Sequence, residues 1–281
     1  MKQRPYTPPP YGQHFLHDRN ILNLLVKSAD LAPGDEVLEI GAGTGKLTEM
    51  ILGRGARVTA VEVDADLGPG LEEKFARDPS FGLVKGDALR LPWKDLLSAG
   101  GRSVVMGNLP YAISTQVFFR VLENRERVRR AVFLMQKEVA IRMTADPGNK
   151  DFGILSVLCQ LYGDPVIVRK VPPSVFLPPP KVDSAIVRWD IFEEPAYEVP
   201  GLDFIRKVVR AAFGQRRKKL VNSLRAGFPS LDRGWIEGVL ENMGLGKAVR
   251  AEQLTVEQFA HLATRLRTVF DDPDATARVS E

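Results

Sequence analysis

The segment Glu36–Gly45, with the sequence EVLEIGAGTG, decides the fold. Its first half, Glu36–Ile40, has the length and the apolar composition of a largely buried strand. Its second half supplies three glycines, which let a chain turn tightly and approach a ligand closely. The apolar spacing of a helix follows at Lys46–Leu52. A strand, a glycine-rich turn and a helix in this order are typical of the ligand-binding edge of a parallel α/β sheet.

Strand and helix patterns alternate on both sides of this segment. Strands are predicted at Glu36–Ile40, Arg57–Val63, Gly82–Lys85, Ser103–Met106 and Ala131–Gln136. Helices are predicted at Asn20–Ala29, Lys46–Leu52, Leu67–Arg77, Ser114–Glu123 and Lys137–Thr144. Two more strands, Val166–Val171 and Ala185–Trp189, suit an antiparallel addition to the sheet. The alternation predicts a Rossmann-like α/β fold, with helices on both faces of a mostly parallel sheet.

The pattern changes near Glu193-Glu194-Pro195, beyond which apolar residues recur only at helical spacing. Four helices are predicted there, around Ile205–Ala212, Leu220–Leu224, Trp235–Leu240 and Thr255–Leu266. We therefore predict a disordered proline-rich segment at 1–11, a Rossmann-like domain at 12–194, a small all-helical domain at 195–270 and a flexible tail at 271–281.

The composition of the 281 residues excludes several classes of protein. Hydrophobic residues make up 44% and charged residues 26%, as in a soluble globular protein. Cys159 is the single cysteine, which excludes an internal disulfide or a cysteine-based metal cluster. The three histidines are scattered, so no metal site is expected. The N-terminus lacks a secretory h-region, and no apolar run reaches ~18 residues, so a cytoplasmic protein without a membrane span is expected.

The charge of the chain is unevenly distributed. The net charge is +4, yet the segment Arg206–Arg225 contains eight basic residues and no acidic one. The rest of the chain therefore carries +4 minus +8, which is −4. This asymmetry favours an anionic partner held on one face of the helical domain. The alternative is a solvated basic helix face without a partner.

Two carboxylates stand where the ligand of the glycine-rich turn would be recognised. Glu62 ends the second strand of the alternation, where an acidic side chain can accept from ribose hydroxyls. Asp87 follows the third strand and is placed to accept from an adenine amino group.

The spacing of the glycines separates the possible cofactors. A dinucleotide prefers G-x-G-x-x-G, whereas this chain has G-x-G-x-G preceded by Glu39. An acidic residue beside the turn is expected to disfavour a diphosphate and to suit the ammonium group of S-adenosylmethionine. A phosphate loop is excluded, because no G-K-[ST] stands at the required spacing. Taken together with the segment Asn108–Tyr111, the turn predicts S-adenosylmethionine as the cosubstrate.

The tetrapeptide Asn108–Tyr111, of sequence NLPY, follows the fourth predicted strand and suits methyl transfer to an exocyclic amine. The lone pair of such a nitrogen is delocalised into the base. The Asn108 side-chain oxygen and the Leu109 carbonyl can accept its hydrogens and localise that pair. Pro110 fixes the backbone, and Tyr111 offers a ring for a flipped base. The alternative is an ordinary proline turn after a strand.

Several segments together resemble the small-subunit (16S) ribosomal RNA adenine N6-dimethyltransferases. The matching segments are Gly12–Leu16, Glu39–Thr48, Val61–Asp64, Gly86–Ala88, Asn108–Thr115, Phe133–Ala140, Val171–Val187 and Ala212–Leu224. The resemblance implies a class I S-adenosylmethionine-dependent methyltransferase sheet. It also implies transfer of two methyl groups to N6 of each of two adjacent adenosines near the 3′ end of the RNA, in a partly assembled 30S subunit, by a monomer.

The resemblance also implies roles for individual residues. The cofactor-binding residues would be His14, Leu16, Gly41, Gly43, Glu62, Asp87, Ala88 and Asn108. The catalytic residues around the target base would be Asn108, Leu109, Pro110, Tyr111 and, as a second stacking ring, Phe176. The RNA-binding residues would be Arg216, Arg217, Lys218 and Lys219.

Some of these interpretations have structural alternatives. Tyr111 and Phe176 could be core aromatics, and Glu62 and Asp87 could be strand-end caps. Three residues depart from the pattern of the family: His14 stands in place of a frequent Asn, Ala112 in place of a larger residue, and Phe152 in place of a frequent Tyr.

Three other functions stay open at this point. They are 23S ribosomal RNA adenine methylation of the macrolide-resistance type, a non-catalytic ribosome-assembly factor, and DNA adenine methylation. The Phe176–Val182 and Ala212–Leu224 segments favour the small-subunit type.

Overall fold

The computed structural model describes residues 13–215 and 217–271. The predicted disordered segment 1–11, the predicted tail beyond Asp271 and the RNA-binding residue Arg216 lie outside these described residues. Contacts divide the chain into two compact units. The first unit comprises the residues up to Ala140 and Pro165–Glu193, and the second comprises Ile141–Asp164 and the residues from Glu194 onward.

The first unit is built on a seven-stranded sheet. Its strands are β2 (Glu36–Ile40), β3 (Arg57–Glu62), β4 (Phe81–Lys85), β5 (Ser103–Asn108), β6 (Val128–Gln136), β7 (Gly163–Val171) and β9 (Ser184–Ile191). Their order across the sheet is β4-β3-β2-β5-β6-β9-β7. The pairs from β4 to β6 are parallel, and β6 pairs with β9 in antiparallel orientation. The predicted α/β fold with an antiparallel addition is confirmed.

Helices alternate with these strands, and all but the short helix Trp93–Leu96 are predicted by the sequence pattern. They are α1 (Arg19–Ala29), α2 (Lys46–Leu52), α3 (Gly68–Lys74), α4 (Trp93–Leu96), α5 (Ser114–Glu123) and α6 (Lys137–Met143). The buried residues of α1 include Leu25, Val26 and Ala29, which join the apolar side chains of β2 and β3 in one core. Burial of this apolar stripe is the main force that holds an amphipathic helix against a sheet.

The parallel register brings the carboxyl ends of four strands to one edge of the sheet. Ile40 pairs with Val61 and Glu62 with Lys85, so β2, β3 and β4 end together. β5 passes the end of β2 closely, because Gly107 has no side chain there. A Cβ at Gly107 would lie 2.5 Å from the Ile40 carbonyl oxygen. Any other residue at this position would push the two strand ends apart.

A short antiparallel pair in this unit has no counterpart among the predicted strands. It joins β1 (Phe15–Leu16) to β8 (Phe176–Leu177), with Leu16 opposite Phe176 and Phe15 opposite Leu177. The pair ties the start of the described chain to the proline-rich segment before β9. Strands of two residues leave no periodic pattern in a sequence, so sequence analysis could not predict it.

The second unit is helical. Its helices are α7 (Ile154–Tyr162), α8 (Leu202–Phe213), α9 (Leu220–Gly227), α10 (Arg233–Asn242) and α11 (Val256–Asp271). The Phe213 ring stacks on Phe259 at 5.6 Å between centroids and meets Phe152 at 6.2 Å, so Phe152 is a core residue of this unit. Thr255 caps α11, since its Oγ1 accepts from the Gln258 N–H at 3.1 Å.

The contact-based division differs from the predicted domains at residues 141–164. The sequence pattern placed them in the Rossmann-like domain, whereas in the structure they group with the helical unit. The reason is α7, which is apolar around its circumference and buries Leu155, Val157 and Leu161 among others. It packs against α8 and α11, and a helix without a polar face needs such cover on several sides.

Candidate active site

A cavity lies at the carboxyl ends of β2, β3, β4 and β5 in the first unit. It encloses about 970 Å³ of space, including open solvent at its mouth. Eight of its lining residues are those predicted to bind the cofactor: His14, Leu16, Gly41, Gly43, Glu62, Asp87, Ala88 and Asn108. Three more predicted residues line it with them: Leu109, Pro110 and Tyr111. The sequence therefore predicted a set of residues that the fold brings together.

The glycine-rich turn forms one wall of this cavity. Gly41, Gly43 and Gly45 have φ angles of +76°, +58° and +71°, which other residues rarely adopt. A Cβ on Gly41 would project to 4.0 Å from the Asn108 carbonyl oxygen and from Pro110 Cδ. A side chain there would occupy the space between the turn and the NLPY segment. The glycine keeps this space open for a ligand.

Glu62 is held rigidly beside the turn. It is 4% exposed, and its Oε2 accepts from the Gly43 N–H at 2.8 Å. Its Oε1 accepts from the N–H groups of Val63 at 3.0 Å and Asp64 at 2.9 Å. An ionised carboxylate has about four acceptor sites, so roughly one strong site remains for a ligand hydroxyl. Glu62 is thus both a strand-end cap and a lining residue of the cavity.

Glu39 lines the cavity, but it is buried and presents little charge there, which differs from the expectation drawn from its position before the turn. Its side chain is buried, and its Oε2 accepts from Thr48 Oγ1 at 2.6 Å. Burial raises the pKa of Glu39 to about 8, so the group is largely neutral at pH 7. A neutral buried carboxyl cannot attract an ammonium group or repel a diphosphate.

Asp87 and Ala88 line the cavity in the turn that follows β4. Asp87 Oδ1 accepts from the Leu89 N–H at 2.9 Å, and Oδ2 lies 3.5 Å from Arg90 Nε. The Ala88 carbonyl accepts from Trp93 Nε1 at 2.8 Å, which anchors this turn to a buried indole. Because 40% of the Asp87 side chain is exposed, its carboxylate remains accessible to a ligand amino group.

The orientation of the Asn108 amide is fixed by one contact. Its Nδ2 donates to the His14 carbonyl oxygen at 2.8 Å. A carbonyl can only accept, so the amide nitrogen must face His14 and the amide oxygen must face the other way. The Leu109 N–H donates to the Leu134 carbonyl at 2.9 Å, which continues the pairing of β5 with β6 past the strand end. Both groups predicted to act as acceptors therefore sit on a fixed backbone.

Tyr111 is braced by a residue that sequence analysis missed. Its hydroxyl forms a 2.6 Å hydrogen bond with Ser184 Oγ. Burial raises the pKa of Tyr111, so its hydroxyl stays protonated at neutral pH. The His14 ring lies 5.5 Å from the Tyr111 ring, and its Nδ1 lies 2.7 Å from the Pro178 carbonyl. Ser184 is 73 residues from Tyr111, and a lone serine leaves no sequence signal for such a contact.

Phe176 stands apart from the other predicted catalytic residues. It does not line the cavity, and it is 2% exposed within the core that also contains Leu16 and Val175. Its neighbour Leu177 is 68% exposed instead. In this conformation Phe176 is a core residue, which is the structural alternative that the sequence left open.

The predicted RNA-binding residues lie in the helical unit. Arg217, Lys218 and Lys219 are exposed and precede α9, where the Lys218 N–H donates to the Gln215 carbonyl at 2.8 Å. Among the described residues, no group of three or more His, Cys, Asp or Glu side chains could hold a metal ion. Within the same ranges, no helix has both the length and the apolar composition that crossing a membrane requires.

The sheet order, the glycine-rich turn after β2 and the carboxylate at the end of β3 define a class I S-adenosylmethionine-dependent methyltransferase. A family model described as "Ribosomal RNA adenine dimethylase" matches residues 8–267. The chain belongs to this family.

Curated relatives and solved structures agree with this membership. "Ribosomal RNA small subunit methyltransferase A" of Syntrophotalea carbinolica is 44% identical over 92% of this chain and 97% of its own length. The protein of the same name from Pseudomonas aeruginosa is 41% identical over 91% and 93%.

Two solved structures are similar over nearly the whole chain. A dimethyladenosine transferase from Plasmodium falciparum is 25% identical with a TM-score of 0.77, and covers 91% of this chain and 98% of its own. The 23S rRNA methyltransferase ErmE is 28% identical with a TM-score of 0.69, and covers 90% and 99%.

Proposed function

We propose that this protein transfers methyl groups from S-adenosylmethionine to N6 of two adjacent adenosines near the 3′ end of 16S ribosomal RNA. The product is N6,N6-dimethyladenosine, formed in the cytoplasm during assembly of the 30S subunit by a monomeric enzyme. The observation that carries the proposal is the fixed Asn108 amide, whose nitrogen is bound to the His14 carbonyl and whose oxygen is left as an acceptor beside the cavity.

The cofactor site has the features that S-adenosylmethionine requires. The three glycines keep the turn open, Glu62 retains about one acceptor site for a ribose hydroxyl, and the Asp87 carboxylate is accessible to an adenine amino group. When bound, S-adenosylmethionine supplies an electrophilic methyl group on a sulfonium. His14, Leu16 and Ala88 would enclose it from the remaining sides.

The residues of the NLPY segment would prepare the target nitrogen. Asn108 Oδ1 and the Leu109 carbonyl accept its two hydrogens, localise its lone pair and stabilise the positive charge that develops on it. No strong base is required, because the methylated amine is acidic and can release its proton to water. One hydrogen remains after the first transfer, so one acceptor suffices for the second. Ala112, which is exposed, leaves room near the segment for a nitrogen that already carries a methyl group.

The base itself would lie on the Tyr111 ring, which Ser184 holds by its hydroxyl. Stacking on a second ring, Phe176, requires a rearrangement of β8, since that side chain is buried in the core. The exposed Leu177 lies next to it on the same short strand. We therefore propose that Tyr111 is already in position before the RNA binds, and that Phe176 reaches the base only in the RNA-bound conformation.

Methylation of 23S ribosomal RNA is the second candidate, because ErmE shares the fold over 90% of this chain. The two functions differ in substrate, so a labelled methyl donor can separate them. We would offer purified 30S and 50S subunits from cells that lack both methylations and resolve the labelled nucleosides. We expect N6,N6-dimethyladenosine in 30S only. Label in 50S would favour the 23S function, and binding to 30S without any label would favour a non-catalytic assembly factor.

A further inference from the structure

A basic groove lies between α8 and α9 in the helical unit. It is separate from the cavity at the carboxyl ends of β2, β3, β4 and β5, which we call the NLPY cavity. We call the groove the α8–α9 groove. It is lined by Asp203, Arg206, Lys207, Arg210, Ala211, Gly214, Gln215, Ser223, Ala226 and Gly227. It shares no lining residue with the cavity described above, and Arg217–Lys219 do not line it.

One wall of the groove is formed by residues that helical spacing places on the same face of α8. Asp203, Arg206, Arg210 and Gly214 recur at intervals of three and four residues, so they form one face of α8 and its end. The floor is made of small residues. A Cβ on Gly227 would lie only 2.3 Å from Ala211 Cβ, so the glycine lets α9 approach α8 closely. Long basic side chains therefore stand around a narrow floor without bulky groups.

The charge of the groove is strongly positive. Arg206, Lys207 and Arg210 contribute +3 and Asp203 contributes −1, which gives +2 over its lining residues. Lys207 and Arg210 are exposed, and Lys207 Nζ lies 4.8 Å from the centroid of the buried Phe228 ring. That contact restrains the ammonium group at the wall of the groove.

We propose that the α8–α9 groove binds backbone phosphates of the ribosomal RNA, as a second contact beyond the Arg217–Lys219 turn. The proposal rests on the proposed RNA substrate. Gln215 lines the groove and its carbonyl holds the Lys218 N–H, so the groove continues directly into the turn. The successive phosphates of an RNA strand would each lie near one of the basic side chains on this face of α8.

An RNA backbone fits this groove better than a protein surface does. Stable protein interfaces centre on buried aromatic or large apolar anchors, whereas the small residues of this floor are glycine, alanine and serine. Arginine side chains bind phosphate in bidentate fashion, and small floor residues let a sugar-phosphate chain come close. The same features give no base-specific contact, so the groove would position the RNA without selecting its sequence.

The test compares two variants that each lose two positive charges. Lys207→Gln/Arg210→Gln changes the groove, and Arg54→Gln/Arg57→Gln changes two exposed residues at the amino end of β3, the edge of the sheet opposite the cavity. Affinity for unmethylated 30S subunits is measured from 50 to 200 mM salt. We expect the groove variant to bind about tenfold more weakly and to lower the salt slope by roughly 1.5–2, and the control to change neither. S-adenosylmethionine binding and thermal unfolding should match wild type in both.

A crosslinking experiment identifies what occupies the groove. Ala226 is exposed and lines it, and the single native cysteine, Cys159, is buried, so Ala226→Cys can carry a photoreactive label selectively. We expect crosslinks to 16S ribosomal RNA in the 30S complex. Crosslinks to ribosomal proteins alone, or equal binding by the groove variant and the control, would overturn the proposal. Methyl transfer by the wild type would still support the proposed function in either case.

Discussion

The two ends of the NLPY cavity are built in different ways. At the cofactor end, Glu62 is held by N–H groups 1, 2 and 19 residues away, and Asp87 by one 2 residues away. At the target-base end the partners are remote. Asn108 is 94 residues from His14, and Tyr111 is 73 residues from Ser184.

The two ends of the cavity therefore depend on different parts of the fold. The two carboxylates of the cofactor end are in place once three strands and their own turns have formed. The base end also needs the residue before β1 and the start of β9 in place, because His14 and Ser184, the partners of Asn108 and Tyr111, lie there. We therefore expect substitutions at the cofactor end to change S-adenosylmethionine affinity, and substitutions at the base end to change turnover.

The largest effect is expected for Asn108→Ala. Loss of the acceptor removes a group that acts on developing charge, and such losses lower turnover by about 10²–10³. S-adenosylmethionine affinity, measured by calorimetry, should change only a few-fold. Asn108→Asp is the informative companion, because it keeps an acceptor but cannot donate to the His14 carbonyl. Turnover of the alanine variant near the wild-type value would show that Asn108 is not catalytic.

Glu62→Gln should have the next largest effect, and on binding. The glutamine amide cannot accept from all three N–H groups that now hold the carboxylate. Hydrogen bonds to charged groups contribute about 1.5–3 kcal/mol, so S-adenosylmethionine affinity should fall roughly 10- to 100-fold. Turnover at saturating cosubstrate should stay close to wild type.

Glu72→Gln serves as the matched control for Glu62. That carboxylate is 54% exposed and pairs with Lys85 at 2.9 Å on the surface of the same unit. Its loss should leave the affinity unchanged. A fall in turnover for Glu62→Gln without a change in affinity would contradict the division between the two ends.

Phe176→Leu tests whether a core residue also stacks on the base. Stacking of a base on an aromatic ring contributes about 1–3 kcal/mol, so we expect turnover to fall by roughly tenfold at temperatures where the variant is folded. Leu177→Ala, on the exposed neighbour, should have a smaller effect. If Phe176→Leu lowers only the free energy of unfolding, the residue is a core anchor and the base has a single stacking ring.

Tyr111→Phe and Ser184→Ala remove the same hydrogen bond from its two sides. A hydrogen bond of this kind contributes about 0.5–1.5 kcal/mol, so each variant should lower turnover by about 2- to 10-fold. The double variant should be no slower than the worse single variant, because the bond is already lost. Additive losses in this cycle would mean that Ser184 does not act through Tyr111.

More of the residues at the cofactor end than at the base end could be predicted from the sequence, for a physical reason. Strand ends in a parallel sheet meet at one edge, so Glu62 and Asp87 could be placed together from pattern alone. Ser184 and the β1–β8 pair depend on the tertiary packing of segments far apart in the chain, which no local pattern encodes. The grouping of residues 141–164 with the helical unit has the same origin, since it follows from the surfaces that α7 packs against.

The charge of Glu39 was also not predictable from the sequence. Its position before the turn suggested an ionised carboxylate, whereas burial in the folded protein favours the neutral form. Burial raises its pKa to about 8 in the folded protein, from an ordinary value of 4.5. Between these values the folded state holds a proton that the unfolded state has lost, so stability falls as the pH rises toward 8.

Glu39→Gln, which cannot ionise, should therefore unfold at similar urea concentrations at pH 6 and pH 9, whereas the wild type should lose stability over that range. The expected difference between the two proteins is roughly 1–3 kcal/mol, at about 1.4 kcal/mol per pKa unit. Glu49→Gln is the control: the hydrogen bond to Lys74 lowers the pKa of Glu49, so its contribution is lost only as the pH falls into the acid range. An equal pH dependence in Glu39→Gln and wild type would show that Glu39 is ionised beneath the cofactor turn, and would restore it as a charge at that end of the cavity.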